Sequence, residues 1–236
     1  PGAPPLGYAT VRDYCDSHDH LTDLATCAGD LKDVQRPWMV KAVLGQVPPG
    51  ARLLEIGAGQ PLVADLLVQL GYQVTVVDPY DGSGNGPREY EIFRRTYPDV
   101  SYVRELFTDQ LTTLEPNSFD AIYSISVLEH VPIPDVPAVC RGMRRFIKPG
   151  GWHLHAIDHV MKGAGDLHHL ERLFVLADGM GLEKSVLVDT LRRAEDDVET
   201  YFLSAESHNR WRARTPYESF PMRRCVSLQV ALEEPR

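Results

Sequence analysis

The sequence predicts an α/β protein, and three observations carry that prediction. An apolar strand from Arg52 to Ile56 runs into Gly57-Ala58-Gly59, a helix-forming stretch follows with Leu62, Leu66, Leu67 and Leu70 at helical spacing, and a second apolar strand, Val74 to Val77, ends at Asp78. Strand, turn, helix and strand in that order make the unit from which parallel sheets covered by helices are built. Gly57 and Gly59 let a ligand approach the backbone where a Cβ would block it. Pro61 suits an early helix position, because its missing N–H would have no helical partner there, and Gly71 ends the helix.

Asp78 follows Gly59 at close to the roughly 20 residues that separate a nucleotide-binding glycine turn from its ribose-binding acid. The third glycine of a dinucleotide turn is missing, since Leu62 stands there. Glu55, at the end of the strand, would repel a pyrophosphate but would hold an ammonium group through charge-assisted hydrogen bonds. An adenosine that carries a cationic amino-acid tail satisfies both conditions, and S-adenosylmethionine is such a molecule. A nicotinamide cofactor fits less well on the same two counts.

Leu54-Glu55-Ile56-Gly57-Ala58-Gly59 resembles the first motif of the class I S-adenosylmethionine-dependent methyltransferases, and three later segments agree in order and spacing. They are Asn117 to Ser124, Val127-Leu128-Glu129-His130-Val131-Pro132, and Ile147-Lys148-Pro149-Gly150-Gly151, so the resemblance covers roughly residues 50 to 160. It implies a Rossmann-like doubly wound seven-stranded sheet with the cofactor at the carboxyl ends of the first strands. It also implies a C-terminal antiparallel strand pair, for which Glu199 to Leu203 and Arg224 to Val230 are the candidates, and an N-terminal helical cap. The expected division is a cap or lid over residues 1–47 and a methyltransferase domain over 48–236, in one compact unit.

The remaining elements follow in order. Pro1 to Pro5 reads as a flexible end, and Tyr8 to Leu44 mixes helical spacing with acids and histidines. Asp13, Asp16, His18, Asp19 and His20 read as a solvated helix start that caps itself, ahead of a metal site. Pro79 to Pro87 is too rich in turn formers for helix or strand. Val100 to Leu106 reads as the third strand, and Asp120 as an anchor for the start of the fourth. In the fifth, His153 and His155 share one face while Trp152 and Leu154 take the other. A helical stretch runs from His168 through Leu176 to Gly179, and Trp211, Arg212, Arg214, Tyr217 and Phe220 form either a substrate wall or an irregular connection.

Composition narrows the partners. The chain has 236 residues, 43% of them hydrophobic, enough for a full core in one domain. Lys and Arg total 24 against 33 Asp and Glu, a net charge of −9. Phosphate-backbone binding depends on clustered cations, so nucleic acid is not the expected partner. Arg141, Arg144, Arg145 and Lys148 cluster only at the predicted C-terminal end of a helix, where cations are favoured. Cys15, Cys27, Cys140 and Cys225 are too dispersed for a zinc knuckle or disulfide frame. No run approaches the roughly 18 apolar residues of a membrane span. A cytoplasmic protein acting on a small molecule is the expectation.

For the cofactor the expected contacts are Glu55, Gly57, Ala58, Gly59, Asp78, Pro79 and Ser124, with the backbone near Leu106 and Phe107 at the adenine. Transfer from a sulfonium needs alignment of the nucleophile and, for a hydroxyl, removal of its proton. Acids and histidines beyond the fourth and fifth strands lie where such a fold places its ligands. His159 and His130 are therefore the favoured bases, with Asp158 beside them and His155 a lesser candidate. Glu129-His130 also resembles a metal-binding subset of the family with a Glu-x-x-Glu-His segment, although Ser126 stands where the first acid would be. That resemblance leaves open a divalent metal on Glu129, His130 and His159, with Asp158, His168 or His169 completing the site. The expected reaction is O-methylation of a natural-product or sugar-like hydroxyl; N-methylation and a noncatalytic cofactor-binding subunit are the alternatives.

Overall fold

The computed structural model describes residues 4–25, 29–83, 86–161, 166–203 and 224–236, with the side chains of 166–169 left out. Seven strands form one sheet: β1 (Leu6–Tyr8), β2 (Arg52–Ile56), β3 (Gln73–Val77), β4 (Ser101–Val103), β5 (Phe119–Ile125), β6 (Ile147–Val160) and β7 (Cys225–Glu233), in the order β1-β7-β6-β5-β2-β3-β4. From β4 to β6 the strands are parallel, whereas β7 runs antiparallel to both β6 and β1. The order reverses at β2 and β5, and the crevice at their carboxyl ends is where a doubly wound sheet takes its ligand.

Alternation along the strands assigns the two faces. Leu54, Ile56, Ile122 and Ile157 bury on one side, in a core shared with helices α5 (Val136–Phe146), α6 (Asp166–Met180) and α7 (Lys184–Asp196). Leu53, Val74, Val76, Tyr123 and Leu154 bury on the other, against α2 (Lys32–Gln46) and α3 (Leu62–Gln69). Burial on both faces explains why the parallel strands read as nearly continuous apolar runs. In α3 the buried face is Val63, Ala64 and Leu67, and Leu70 is exposed, so the helix is rotated from the stripe its leucines predict. Asp120 ties β2 to β6 at the sheet's lower end: one oxygen accepts the Arg52 N–H at 2.8 Å, the other the Lys148 ammonium at 2.6 Å. Arg141 pairs with Asp109 at 2.6 Å, and Arg145 donates to the Asp109 carbonyl, which partners two of the four clustered cations.

Four expectations need correction. The outer partner of β7 is β1, with Leu6 opposite Val230 and 1% exposed, so part of the expected N-terminal cap is sheet. Residues 199–203 make only single bridges, Thr10 with Thr200 and Phe202 with Val226, because β1 already occupies the edge. The third strand is shorter than predicted and ends at Val103. The fifth parallel strand, β6, is longer: β5 stops at Ile125, but antiparallel β7 continues alongside, so Asp158 and His159 lie within β6, opposite Ser227 and Val226. Before β1 meets α1 (Val11–His20), Thr10 caps that helix, its hydroxyl accepting from the Asp13 N–H while Asp13 accepts from the Thr10 N–H at 2.7 Å. Cys15, Cys140 and Cys225 are free thiols; Cys27 and the Trp211 to Phe220 stretch lie outside the described residues.

Candidate active site

The glycine turn at the end of β2 is held by its neighbours. Gly57 and Gly59 adopt positive φ, +66° and +56°, and a Cβ on Gly57 would stand 2.8 Å from Val127. That contact sets the turn directly against the segment carrying Glu129 and His130. Both oxygens of Asp78 are engaged: Oδ2 accepts the Gly59 N–H at 3.0 Å and Oδ1 the Tyr80 N–H at 2.9 Å. Tyr80 has φ +50° and its hydroxyl donates to the Gly59 carbonyl at 3.1 Å. A strained non-glycine backbone at a strand's carboxyl end is the kind of feature that surrounding contacts must hold in place.

Glu55 is 3% exposed and accepts the Tyr123 hydroxyl at 3.0 Å. Burial pushes its carboxyl up to about 8; the Tyr123 hydrogen bond and the Arg36 guanidinium oppose the rise, and Asp78 adds to it. A buried acid raised this far is poised to ionise when a cation arrives. Arg36, half-buried on α2, sits within electrostatic range of it and is a positive group that no sequence motif marked. Leu106 is 65% exposed just beyond β4, an open apolar surface suited to a flat ring. Phe107 instead turns inward against Phe146, with ring centroids 6.0 Å apart. The Ser124 hydroxyl is buried in the sheet, 2.9 Å from His155 Nδ1, so its side chain is not available to a cofactor.

At the carboxyl ends of β5 and β6 a second group of polar residues meets. Asp158 Oδ1 accepts the Gln35 side-chain amide at 2.7 Å, and Ser126 Oγ lies 2.7 Å from Gln35 Oε1 and 3.0 Å from Asp158 Oδ1. The single Ser126 proton serves either oxygen. Ser126 itself has φ +53°. Glu129 is 4% exposed with no hydrogen-bond partner on either oxygen, and burial, reinforced by the charge of Asp158, holds its carboxyl well above the usual range. His130 is half-exposed with Nε2 3.9 Å from Glu129 Oε1; desolvation lowers its pKa and Asp158 opposes that. Arg172 on α6 donates to the Glu129 carbonyl. Glu129, Asp158, His159 and Arg172 line one narrow cleft.

His159 is buried in β6 and paired with Val226 of β7, not beyond the strand end where the sequence suggested it. Among the described residues no three or more His, Cys, Asp or Glu side chains are arranged to hold a metal ion. Glu129, His130 and His159 therefore do not form such a group, although Glu129 and His159 line the same cleft, and Asp158 beside them is bound to Gln35 and Ser126. His168 and His169 lie on α6, their side chains outside the described residues. His153 Nε2 meets Glu234 at 2.8 Å, and burial, with His153 adding, pushes His155 down to about 3, marking both as core histidines. Gln35 was legible only as a polar residue on the buried face of α2, next to Val34 and Met39.

Residues 54–155 match the family model described as a methyltransferase domain. Similar curated proteins include the ubiquinone biosynthesis O-methyltransferases of Albidiferax ferrireducens, 33% identical over 103 residues (44% of this chain, 39% of that protein), and of Paracidovorax citrulli, 35% identical over 103 residues (44% and 42%). The match therefore spans about two fifths of those relatives' length. Among solved structures, phosphoethanolamine N-methyltransferase 2 of Haemonchus contortus with S-adenosyl-L-methionine superposes with a TM-score of 0.53 at 20% identity (85% of this chain, 53% of that one). The 1,6-didemethyltoxoflavin-N1-methyltransferase of Burkholderia thailandensis gives 0.51 at 14% identity (96% and 85%). These two share the fold. Residues 54–155 thus match a methyltransferase domain, and the sheet has the fold of these solved methyltransferases.

Proposed function

We propose that the chain transfers a methyl group from S-adenosylmethionine to a hydroxyl oxygen of a small-molecule acceptor. The observation that carries this reading is the contact of Gly57 with Val127, which sets the glycine turn against the segment bearing Glu129 and His130. Donor-binding and acceptor-binding groups are then neighbours across the β2–β5 crevice. The residues present fit the cofactor: Glu55 for the ammonium, Arg36 for the carboxylate, Asp78 for the ribose, with Ala58 and Pro79 walling the turn and Leu106 under the adenine. When bound, S-adenosylmethionine supplies an electrophilic methyl group on a sulfonium whose departure leaves a neutral thioether.

The protein's own task is to align the acceptor oxygen and take its proton. His130 suits the base role, because a half-exposed imidazole kept neutral by desolvation accepts a proton at neutral pH and Asp158 favours the resulting cation. His159 and Asp158 are the other proposed members of this set. Residues 1–47 act mainly as the cap, with α2 delivering Gln35 and Arg36 to the site. Incubation with methyl-labelled cofactor and a panel of hydroxylated acceptors, with and without chelator, tests the reading. Transfer to oxygen that survives chelation and falls at least about tenfold in His130→Ala, with cofactor binding intact, supports it. Transfer that requires added metal, or that is unchanged in His130→Ala, sinks the base assignment.

A further inference from the structure

The proposed acceptor end of the site holds several carboxyl groups, one of which its own hydrogen bonds leave unused. Glu129 is buried with neither oxygen partnered and faces the cleft it shares with Asp158. Asp30, Glu129 and Asp158 all act electrostatically on the buried Cys225, where β7 begins opposite the end of β6. Asp30, just before α2, and Asp33, in its first turn, act likewise on the Tyr201 hydroxyl. That hydroxyl is buried, 8% exposed, and has no hydrogen-bond partner; its ring stacks on Tyr14 with centroids 4.8 Å apart and planes at 13°. Asp30 thus lies within electrostatic range of both the Cys225 thiol, which Glu129 and Asp158 also reach, and the Tyr201 hydroxyl of the stacked aromatic pair. The basic groups facing these acids are Lys32 and Arg172, and Arg172 is turned onto the Glu129 carbonyl.

A buried carboxyl with no partner costs stability that a bound donor recovers. Among the described residues these acids are not gathered tightly enough to hold a metal ion. An organic cation spreads its hydrogen-bond donors over a larger radius and is favoured by aromatic faces as well as by carboxylates. We propose that this cluster is the acceptor subsite, and that the acceptor carries a protonated amine held by Glu129 and its neighbouring acids while its hydroxyl receives the methyl group. The inference rests on the methyltransferase reading above. It narrows the acceptor from any hydroxylated molecule to one with a cationic nitrogen near the methylated position.

The test uses the full chain saturated with S-adenosylhomocysteine and matched pairs of probes that differ in the amine: tyramine against 4-ethylphenol, and glucosamine against glucose. Binding is followed by calorimetry. The amine should bind roughly tenfold or more tightly than its neutral partner in at least one pair, as expected for hydrogen bonds to a charged group. Glu129→Gln, which keeps the shape but removes the charge, should reduce that advantage to about threefold or less; a circular-dichroism melt verifies that the variant folds. Equal binding within both pairs, no binding of any probe at millimolar concentration, or an amine preference unchanged in folded Glu129→Gln would each overturn the proposal. Failure of S-adenosylhomocysteine itself to bind would instead sink the cofactor reading.

Discussion

The two ends of the crevice treat their carboxyl groups in opposite ways. At the glycine turn, Asp78 is bonded on both oxygens by backbone N–H groups and Glu55 is bonded by Tyr123. Across the crevice, Glu129 has no hydrogen-bond partner, and Asp158 is held through one oxygen by side chains from α2 and the β5 end. The first arrangement is built partly from backbone and leaves neither carboxyl without a hydrogen bond even before a ligand binds. The second is assembled from side chains distant in sequence and awaits one. On the proposed reading, the first construction would serve the donor and the second the acceptor.

The largest expected effect breaks the completed end. Asp78→Ala removes the acceptor for two backbone N–H groups as well as the proposed ribose contact. Calorimetric titration with S-adenosylhomocysteine should show affinity reduced by about 1.5–3 kcal/mol or more; unchanged affinity would contradict the role given to Asp78. The sheet interior between the two ends offers the next test. His155 is fully buried, with its pKa pushed below the ordinary value of 6.5 to about 3. The unfolded chain therefore takes up this proton first, so the stability contribution is complete above pH 6.5 and is lost as pH falls toward 3. Denaturant titrations over that window should show a loss of up to about 1.4 kcal/mol per pH unit from this group. His155→Asn should flatten the slope, and an equally steep slope in that variant would assign the acid sensitivity elsewhere.

A smaller effect sharpens the acceptor end. Gln35→Leu deletes one donor to Asp158 and leaves Ser126 to hold it alone, which should cost about 1–3 kcal/mol in urea unfolding without changing S-adenosylhomocysteine affinity. A loss of cofactor affinity in that variant would mean that the two ends are not separable.

The contrast also explains what could be read from the chain. Local elements were legible because each is written in a short stretch: Arg52 to Gly59, Val74 to Asp78, and Ile147 to Gly151 all place their strands and turns. Strand β1 was not, since three residues carry little pattern and only the exposed edge of β7, more than 200 residues later, makes Leu6–Tyr8 a strand. The length of β6 was hidden for a similar reason, its end being set by β7. In the site, Glu55 and Asp78 announce themselves by position next to glycines. Gln35, Arg36 and Tyr201 do not, because what makes them significant is the neighbour that folding supplies.

The most direct measurement is the number of protons released when S-adenosylhomocysteine binds, taken from titrations at pH 7 in buffers of different ionisation enthalpy. Glu55, raised by burial to about 8, holds a proton in the free protein at that pH and must give it up to receive an ammonium group. Release of about one proton per cofactor, absent in Glu55→Gln, is the predicted result, with affinity rising as pH increases toward 8 and levelling above it. Binding with no proton released, or release that persists in Glu55→Gln, would contradict the assignment of Glu55 as the partner of the cofactor's cationic tail.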